Sequence, residues 1–335
     1  MKPIQEIYTL LDKPRTIVIT MHQKPDPDAM GSSLALAGVL KKLGHKIFVI
    51  SPTNWPEFLK WMPGARQVID YEASTEKAML ALNEAEWIFC LDFNALHRTK
   101  HMAAVLAASK AVKILIDHHQ QPEITAFAYG ASDTSKSSTS EMIYDLIVAA
   151  GWGNLIDADI AACLYAGIIG DTGSFRFPAT SAAVHKMVAV LKDAGLNHTK
   201  VHENLYDNFL EDRLRFIGHV LLHRMEVFYE YNTALIAITK HDLLKYNIRT
   251  GDTEGLVNYP LTIQGIKLAA LVIDRDEERK WSFRSKGSFD VNTFARKYFN
   301  GGGHFNASGG RSSVSLPEAV AQFKAAMKEN ETQLQ

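Results

Sequence analysis

The chain has 335 residues, of which 47% are hydrophobic and 22% are charged, and its formal net charge is −1. This length corresponds to about two ordinary domains, and the composition is that of a soluble globular protein rather than a disordered one. The near-neutral charge excludes a protein that coats long DNA or RNA through a broad basic surface, because such binding neutralises many phosphates.

The first half of the chain alternates short apolar runs with segments of helical periodicity. The runs are Arg15 to Thr20, Lys46 to Ile50, Trp87 to Leu91 and Val112 to Ile116. Each has the length of a buried strand. A helix is predicted from about Asp28 to Leu43, where apolar residues recur at helical spacing and Gly44 follows as a stop signal. This alternation predicts an α/β fold in which helices cover both faces of a parallel sheet.

The second half begins with helical patterns and then changes character. Two helices are predicted from about Ser138 to Ala150 and from about Asp159 to Ile169, followed by a mostly helical stretch. A smaller α/β unit begins near Val227. Its predicted strands are Thr233 to Thr239, Ile266 to Ile273 and Lys280 to Arg284, and its predicted helices are Val291 to Phe299 and Leu316 to Lys328. We therefore expect a first domain at residues 1–190, a helical connector at 191–226 and a second domain at 227–335.

The cysteines and the start of the chain indicate where the protein resides. Cys90 and Cys163 each lie inside an apolar run, which predicts two buried reduced thiols rather than a disulfide. The segment from Met1 to Leu11 lacks the apolar core of a signal peptide. No stretch approaches the ~20 apolar residues that a membrane span requires. We expect a cytoplasmic protein without a membrane partner.

Acidic and imidazole side chains fall where apolar runs end. These residues are His22, Asp26, Asp28, Asp92, Asp117, His118, His119 and Asp171. Loops at the carboxyl ends of parallel strands converge on one edge of the sheet, where ligands bind. So many carboxylates in one place would repel each other unless cations lay among them. The pattern therefore predicts a site for divalent metal ions.

The types of ligand indicate which metal ions the site favours and which class of reaction they support. Carboxylates with a few imidazoles and no thiolate suit octahedral Mn²⁺ or Mg²⁺ better than tetrahedral zinc, and the imidazoles favour Mn²⁺. Two ions bridged by a shared carboxylate activate a water and stabilise a leaving oxygen at phosphorus. We expect metal-assisted hydrolysis of a phosphate ester.

These residues resemble the motifs of the DHH superfamily of phosphoesterases, in order and in approximate spacing. The motifs of the first domain are His22-Gln-Lys-Pro-Asp26-Pro-Asp28 with Gly31 and Ser32, then Asp92, then Asp117-His118-His119, then Gly170-Asp171-Thr172-Gly173. Those of the second domain are Phe283-Arg284-Ser285 and Gly301-Gly302-Gly303-His304 with Ala307, Gly309 and Gly310, which resemble the DHH-associated C-terminal domain. The resemblance spans almost the whole chain. It is strongest to the nano-RNase type, enzymes that degrade oligoribonucleotides of a few residues and remove the 3′-phosphate of 3′-phosphoadenosine 5′-phosphate (pAp).

The resemblance implies a role for each residue. One metal ion would be held by His22, Asp26 and Asp92, and the other by Asp28, Asp92, His118 and Asp171, so that Asp92 bridges them. The catalytic residues would be Asp92, His119 at the reacting phosphate, and Asp117, which would orient a histidine. The substrate contacts would be Arg98, Arg284, Ser285, Gly302, Gly303 and His304. Asn300, where many relatives have glycine, and the segment after Asp92 depart from the pattern and bear on substrate range.

Alternatives remain at the level of single residues and of function. Taken alone, Asp28 would be read as an N-cap, and Asp92 and Asp171 as ordinary terminators of a strand or helix. The function that the sequence favours is hydrolysis of short oligoribonucleotides and pAp. Its alternatives are hydrolysis of the linear dinucleotides pGpG and pApA, inorganic pyrophosphatase activity and non-catalytic nucleotide sensing. The sequence admits a homodimer without requiring one.

Overall fold

A computed structural model describes residues 1–275 and 278–335. The chain divides into two compact units, Met1–Asn208 and Phe209–Gln335. The boundaries predicted at residues 190 and 226, with the connector between them, stay a prediction. Over the described ranges, no helix has both the length and the apolar character needed to cross a bilayer.

The first unit is built on a parallel sheet. Its strands are β1 (Lys2–Pro3), β2 (Thr16–Thr20), β3 (Lys46–Ser51), β4 (Ile69–Asp70), β5 (Trp87–Leu91), β6 (Val112–Asp117) and β7 (Tyr129–Ser132). They lie in the order β1-β7-β6-β5-β2-β3-β4, and every neighbouring pair is parallel. The central strands β2, β5 and β6 are those of the predicted apolar runs, which confirms the α/β class.

Helices cover both faces of this sheet. They are α1 (Pro27–Lys42), α2 (Thr75–Glu84), α3 (Ala103–Ala108), α4 (Thr139–Ala149), α5 (Ala158–Asp171), α6 (Ala182–Asp193) and α7 (His198–Tyr206). Successive strand residues point to opposite faces. Ile17 and Ile19 accordingly pack in the core formed with α1, α4 and α5, whereas Val18 packs in the core formed with α2 and α3. The predicted two-sided layering is therefore confirmed.

Helices α1 and α5 approach closely through glycines. A Cβ atom at Gly31 would lie 2.4 Å from the carbonyl oxygen of Cys163, and one at Gly170 would lie 2.9 Å from Cβ of Pro27. The two helices therefore run antiparallel, and the start of α1 lies beside the end of α5. This packing places Asp28, in the first turn of α1, near Asp171, the last residue of α5.

The second unit is a smaller mixed sheet with helices. Its strands are β8 (Met225–Phe228), β9 (Thr233–Ile238), β10 (Leu268–Asp274), β11 (Arg279–Ser285), β12 (Gly302–His304) and β13 (Ala307–Ser312), in the order β12-β13-β11-β10-β9-β8. Its helices are α8 (Glu211–His223), α9 (Lys240–Lys245), α10 (Val291–Tyr298), α11 (Leu316–Glu329) and α12 (Glu331–Leu334). Strands β9 and β10 are parallel, and the other neighbours are antiparallel. Trp281 and Phe283 of β11 face the core that α10 and α11 complete. The predicted second α/β unit is thus confirmed.

The two cysteines are buried and free, as predicted. Cys90 lies in β5 and Cys163 in α5. Burial raises the pKa of both thiols, that of Cys90 to about 12. Since the thiolate is the reactive form, both cysteines are chemically inert and serve as core residues.

The close approach of α1 and α5 predicts that alanine destabilises the folded chain much more at one glycine of α1 than at another. Gly31→Ala places a methyl group against a backbone carbonyl that no side-chain rotation relieves, so we expect it to lower the free energy of unfolding by about 2 kcal/mol. Gly38→Ala is the matched control in the same helix. Its Cβ would meet only the side chain of Ile160, at 2.8 Å, so the loss should be smaller. Urea denaturation followed by tryptophan fluorescence measures both, and equal effects would contradict the packing argument.

Candidate metal centre

The structure brings together all the acidic and imidazole residues that the sequence pattern grouped. His22 and Asp26 follow β2, Asp28 lies in the first turn of α1, Asp92 follows β5, and Asp171 ends α5. Asp117 ends β6 and is followed directly by His118 and His119. Three of these segments are the carboxyl ends of neighbouring strands, as the parallel sheet requires. The fourth segment is the end of a helix, which reaches the sheet edge because α5 packs along α1.

Asp92 lies at the centre of this group. Its side chain is buried, with Oδ2 at 3.4 Å from Nε2 of His22 and Oδ1 at 3.5 Å from Nε2 of His118. Its φ is +62°, a left-handed conformation that aspartate tolerates better than most residues. Its amide nitrogen donates to the carbonyl of Ile116 at 3.1 Å. The carboxylate thus faces His22 with one oxygen and His118 with the other, and Nδ1 of His119 lies 3.7 Å from Oδ1.

His22, Asp26 and Asp92 form the first of two candidate ligand groups. Nε2 of His22 lies 3.5 Å from Oδ2 of Asp26, and one ligand atom from each of the three residues lies within 4.8 Å of the others. Nδ1 of His22 lies 2.8 Å from the carbonyl oxygen of Gln23. Because a carbonyl only accepts, Nδ1 carries a hydrogen, and Nε2 is the ring nitrogen that faces the carboxylates. Burial lowers the pKa of His22, but hydrogen bonds to Asp26 and Asp92 outweigh it and raise the pKa to about 10. The position therefore demands a positive charge.

Asp28, Asp92, His118 and Asp171 form the second candidate ligand group, in which one ligand atom from each of the first three lies within 4.8 Å of the others. Nε2 of His118 lies 3.8 Å from Oδ2 of Asp28 and 3.1 Å from Oδ2 of Asp171. Nδ1 of His118 lies 3.2 Å from the carbonyl oxygen of Lys136, which again leaves Nε2 for the carboxylates. Burial raises the pKa of Asp28 well above its ordinary value, and the charges of Asp92 and Asp171 raise it further. These carboxylates lie close enough to repel each other when ionised, and a bound cation would offset that repulsion.

Asp28 is held by the start of α4. Its Oδ2 accepts from the amide of Thr139 at 2.6 Å, and its Oδ1 accepts from the amide of Ser140 at 2.9 Å. Amides in the first turn of a helix have no partner within the helix and favour anions. The alternative reading of Asp28 as the cap of its own helix is wrong, because Asp26 caps α1 by accepting from the amides of Asp28 and Ala29.

Gly167 leaves room for this arrangement and escaped the sequence analysis. A Cβ atom there would lie 2.6 Å from Oδ1 of Asp28 and 2.0 Å from Oγ of Ser140. Residues 136–140 escaped it as well, although the helix predicted from about Ser138 to Ala150 includes three of them. The signal that points to them is a helix N-terminus, which in general attracts carboxylates.

Asp117 and His119 form a hydrogen-bonded pair beside Asp92. Nδ1 of His119 donates to Oδ1 of Asp117 at 2.7 Å, and Asp117 is fully buried. A buried carboxylate that accepts from Nδ1 fixes the ring orientation and leaves Nε2 as the nitrogen available to a ligand. This is the geometry expected for the orienting role that the resemblance implies for Asp117.

The predicted substrate contacts are divided between the two units. In the first unit, the carbonyl oxygen of Arg98 accepts from the amide of Gln23 at 2.8 Å, which places Arg98 beside the His22 loop. In the second unit, strand pairing aligns His304 with Ala307 and Ala307 with Arg284. Residues in one such row of a sheet point to the same face. Arg284 and His304 therefore share a face, separated by the small side chain of Ala307.

The other predicted contacts of the second unit have internal roles. The hydroxyl of Ser285 donates to the carbonyl of Phe289 at 2.7 Å, and the amide of Gly303 donates to Oδ1 of Asn292 at 3.0 Å. Gly302 pairs with Gly309, so backbone rather than side chain forms the surface there. Asn300 has a φ of +44°, a conformation that asparagine tolerates among non-glycine residues. Its departure from the glycine pattern therefore preserves the backbone path.

The donor set fits hard divalent cations. Each group combines carboxylate oxygens with one imidazole nitrogen and contains no thiolate, which matches Mn²⁺ and Mg²⁺. The imidazoles are fixed by carbonyl acceptors behind them, as is usual for histidines that bind metal. The residues present therefore suit the ions that the sequence pattern predicted.

Comparison with known proteins gives a family for both units. The family model described as DHH family, N-terminal domain, matches residues 16–168, and the DHHA1 domain matches residues 232–331. The bifunctional oligoribonuclease and PAP phosphatase NrnA of Bacillus subtilis is 30% identical over 326 residues, which cover 94% of this chain and 96% of that protein. NrnA of Thermus thermophilus is 28% identical, with 99% and 94% covered.

Solved structures agree with these matches. An exopolyphosphatase-related protein from Bacteroides fragilis is 38% identical and superimposes with a TM-score of 0.94 over 99% of this chain and 97% of its own. RecJ from Thermus thermophilus, solved in complex with Mn²⁺, is 13% identical with a TM-score of 0.53, over 99% of this chain and 55% of its own. At that identity the similarity shows the fold alone.

The ligand groups predict that Mn²⁺ stabilises the folded chain. Because the ligands are close together only when folded, a concentration about 100 times the dissociation constant should raise the melting temperature by about 5–10 °C relative to EDTA. Asp92→Ala removes the residue common to both groups and should abolish this shift. Exposed Asp193 provides the control, since Asp193→Ala should keep it. Calorimetric melting measures all three proteins, and an undiminished shift in Asp92→Ala would count against the site.

Proposed function

This chain belongs to the DHH family and is a phosphoesterase, and from that premise we propose that it hydrolyses very short RNA to mononucleotides and removes the 3′-phosphate of pAp. The observation that carries this proposal is the position of Asp92 between two histidines, each with its own carboxylates. That arrangement suits a pair of cations acting on one phosphate.

We assign the two groups as the sites of two divalent ions. His22, Asp26 and Asp92 would hold one ion, and Asp28, Asp92, His118 and Asp171 the other. When bound, such ions supply Lewis-acid stabilisation of phosphoryl charge and an activated water. The imidazole in each group favours Mn²⁺, while the carboxylates also accept Mg²⁺.

His119 is assigned to the reacting phosphate. Its Nδ1 donates to Asp117, so its Nε2 is the nitrogen that contacts a phosphate oxygen or the leaving group. The ring is held by a buried carboxylate and therefore loses little freedom when substrate binds. Asp117 acts through His119 and is a positioning residue.

The row formed by His304, Ala307 and Arg284 is assigned to substrate binding. Arginine suits a phosphate because its guanidinium donates two parallel hydrogen bonds. The next row on the same face of the sheet contains Gly302, Gly309 and Ser282. Their small side chains let a ligand approach the backbone. Arg98, beside the His22 loop, is assigned to a phosphate or base. Ser285 and the amide of Gly303 support this face from within the unit.

The net charge of the chain and the names of its relatives both support a short substrate. A net charge of −1 offers no broad basic track for a long strand. The matches at 30% and 28% identity cover nearly the whole length of both relatives, and each relative is named as a bifunctional oligoribonuclease and PAP phosphatase. We further propose a cytoplasmic location, and the homodimer stays a prediction that light scattering would check.

A panel of substrates tests the proposed function directly. With Mn²⁺, the purified protein should hydrolyse RNA of two and five residues and pAp at least about tenfold faster than RNA of 24 residues, because a chain with a net charge of −1 offers no broad basic surface for a long strand. Pyrophosphate, pGpG and pApA are tested in parallel. Asp92→Ala serves as the blank. Preference for pyrophosphate, or equal rates on the 24-residue strand, would contradict the proposal.

Arg284 provides a test of the substrate face. Arg284→Ala should lower kcat/KM on a dinucleotide by about 10–100-fold, since one charge-assisted hydrogen bond is worth about 1.5–3 kcal/mol. Its Mn²⁺ affinity should be unchanged. Arg311→Ala is the matched control, because Arg311 lies on β13, which pairs with the strand β11 of Arg284, but its guanidinium pairs with Glu278 at 3.5 Å. Steady-state kinetics of both variants decide the assignment, and unaltered kinetics in Arg284→Ala would remove that residue from the substrate face.

A further inference from the structure

We propose that Thr139 is a positioning residue for the metal-bridging carboxylate of Asp92. The hydroxyl of Thr139 donates to Oδ1 of Asp92 at 3.0 Å, although the two residues are 47 positions apart in the chain. The inference rests on the proposed function, in which Asp92 joins the two ligand groups. It adds to that function a residue that touches neither ion nor substrate.

Thr139 belongs to a short segment that contacts ligands from three parts of the chain. We call residues 136–141, which enter and begin α4, the clamp segment. Its Lys136 carbonyl accepts from Nδ1 of His118, and its amides at Thr139 and Ser140 donate to Asp28. With the hydroxyl of Thr139 on Asp92, one stretch of backbone contacts three of the four ligands in the second group.

The hydroxyl decides how the carboxylate of Asp92 is rotated. Oδ2 of Asp92 faces His22, and Oδ1 faces His118, so a bridging role requires that the two oxygens keep these directions. A hydrogen bond from Thr139 to Oδ1 holds that rotation and leaves Oδ1 a further lone pair for an ion. Thr139 and Asp92 are both buried, so water does not readily replace the hydroxyl. Such supporting hydrogen bonds affect metal affinity or activity by about 10–100-fold when removed.

The clamp segment is ordered internally by the buried carboxylate of its last residue, Glu141. Oε2 of Glu141 accepts from the amide of Ser137 at 2.8 Å and from its hydroxyl at 2.7 Å. The hydroxyl of Ser138 in turn accepts from the amide of Glu141 at 3.0 Å. This reciprocal pattern resembles a capping box, which fixes the first turn of a helix. Thr139 therefore presents its hydroxyl from a backbone that is already ordered.

Two substitutions separate the hydroxyl from the shape of the side chain. Thr139→Val keeps the branched shape and removes the hydroxyl, whereas Thr139→Ser keeps the hydroxyl and removes the methyl group. Both retain the amide that donates to Asp28. Isothermal titration with Mn²⁺ alone measures the metal sites without any substrate, and steady-state kinetics on a dinucleotide measure turnover.

We expect Thr139→Val to lose about 10–100-fold in Mn²⁺ affinity at one or both sites and a similar factor in kcat, because the bridging carboxylate is no longer held. KM should stay close to the wild-type value. Thr139→Ser should restore most of the affinity and of kcat. Unchanged Mn²⁺ binding and kcat in Thr139→Val would overturn the inference. Equal losses in both variants would also overturn it, since they would assign Thr139 to packing.

Two controls keep the result interpretable. Circular dichroism and melting in EDTA show whether Thr139→Val folds, and Thr139→Ala replaces it under the same expectations if it does not. Failure of the proposed function is distinguishable, because a wild-type protein that binds Mn²⁺ but cleaves no short substrate would refute that function alone. The titration would then still decide the role of Thr139.

Discussion

The structure depends on an electrostatic constraint, namely that several buried carboxylates share one place. Burial opposes ionisation of Asp92, yet hydrogen bonds from His118 and His22 hold the pKa of Asp92 well below its ordinary value. Burial and the charges of Asp92 and Asp171 have the opposite effect on Asp28, whose pKa lies well above its ordinary value. Neighbouring acids with pKa values displaced in opposite directions are typical of functional sites. Divalent cations are the simplest source of the positive charge that allows all of them to ionise.

Much of the first unit serves to keep these carboxylates close together. Glycines bring α1 and α5 into contact, so that Asp28 and Asp171 arrive from opposite ends of two antiparallel helices. The left-handed backbone at Asp92 places a third carboxylate, and the amides at the start of α4 hold that of Asp28. Residues held in rare backbone conformations, such as Asp92, cost local stability and recur at functional sites. The second unit contributes a different kind of surface, in which glycine and alanine expose backbone between Arg284 and His304.

The sequence predicted the parts of the fold that leave a periodic or compositional signal. Strands β2, β3, β5 and β6 are apolar runs, and the ligands that follow three of them were found because parallel strands end at one edge. Strands β1 and β4 are too short to show a pattern, and β12 and β13 are rich in glycine, which strands usually avoid. The contact of Thr139 with Asp92 joins residues far apart in the chain, so no local pattern predicts it. Asp171 was found because it follows an apolar run, but its place beside the other ligands depends on the packing of α5 on α1, which the sequence did not predict.

The central claim is that two cations share the carboxylate of Asp92. Crystals grown with Mn²⁺ and measured at the manganese absorption edge test it most directly, since anomalous scattering locates each ion without reference to the protein. We expect two adjacent anomalous peaks, one between Asp92 and His22 and the other between Asp92 and His118. A map without a peak beside Asp92, or with the ions bound elsewhere on the chain, would contradict it.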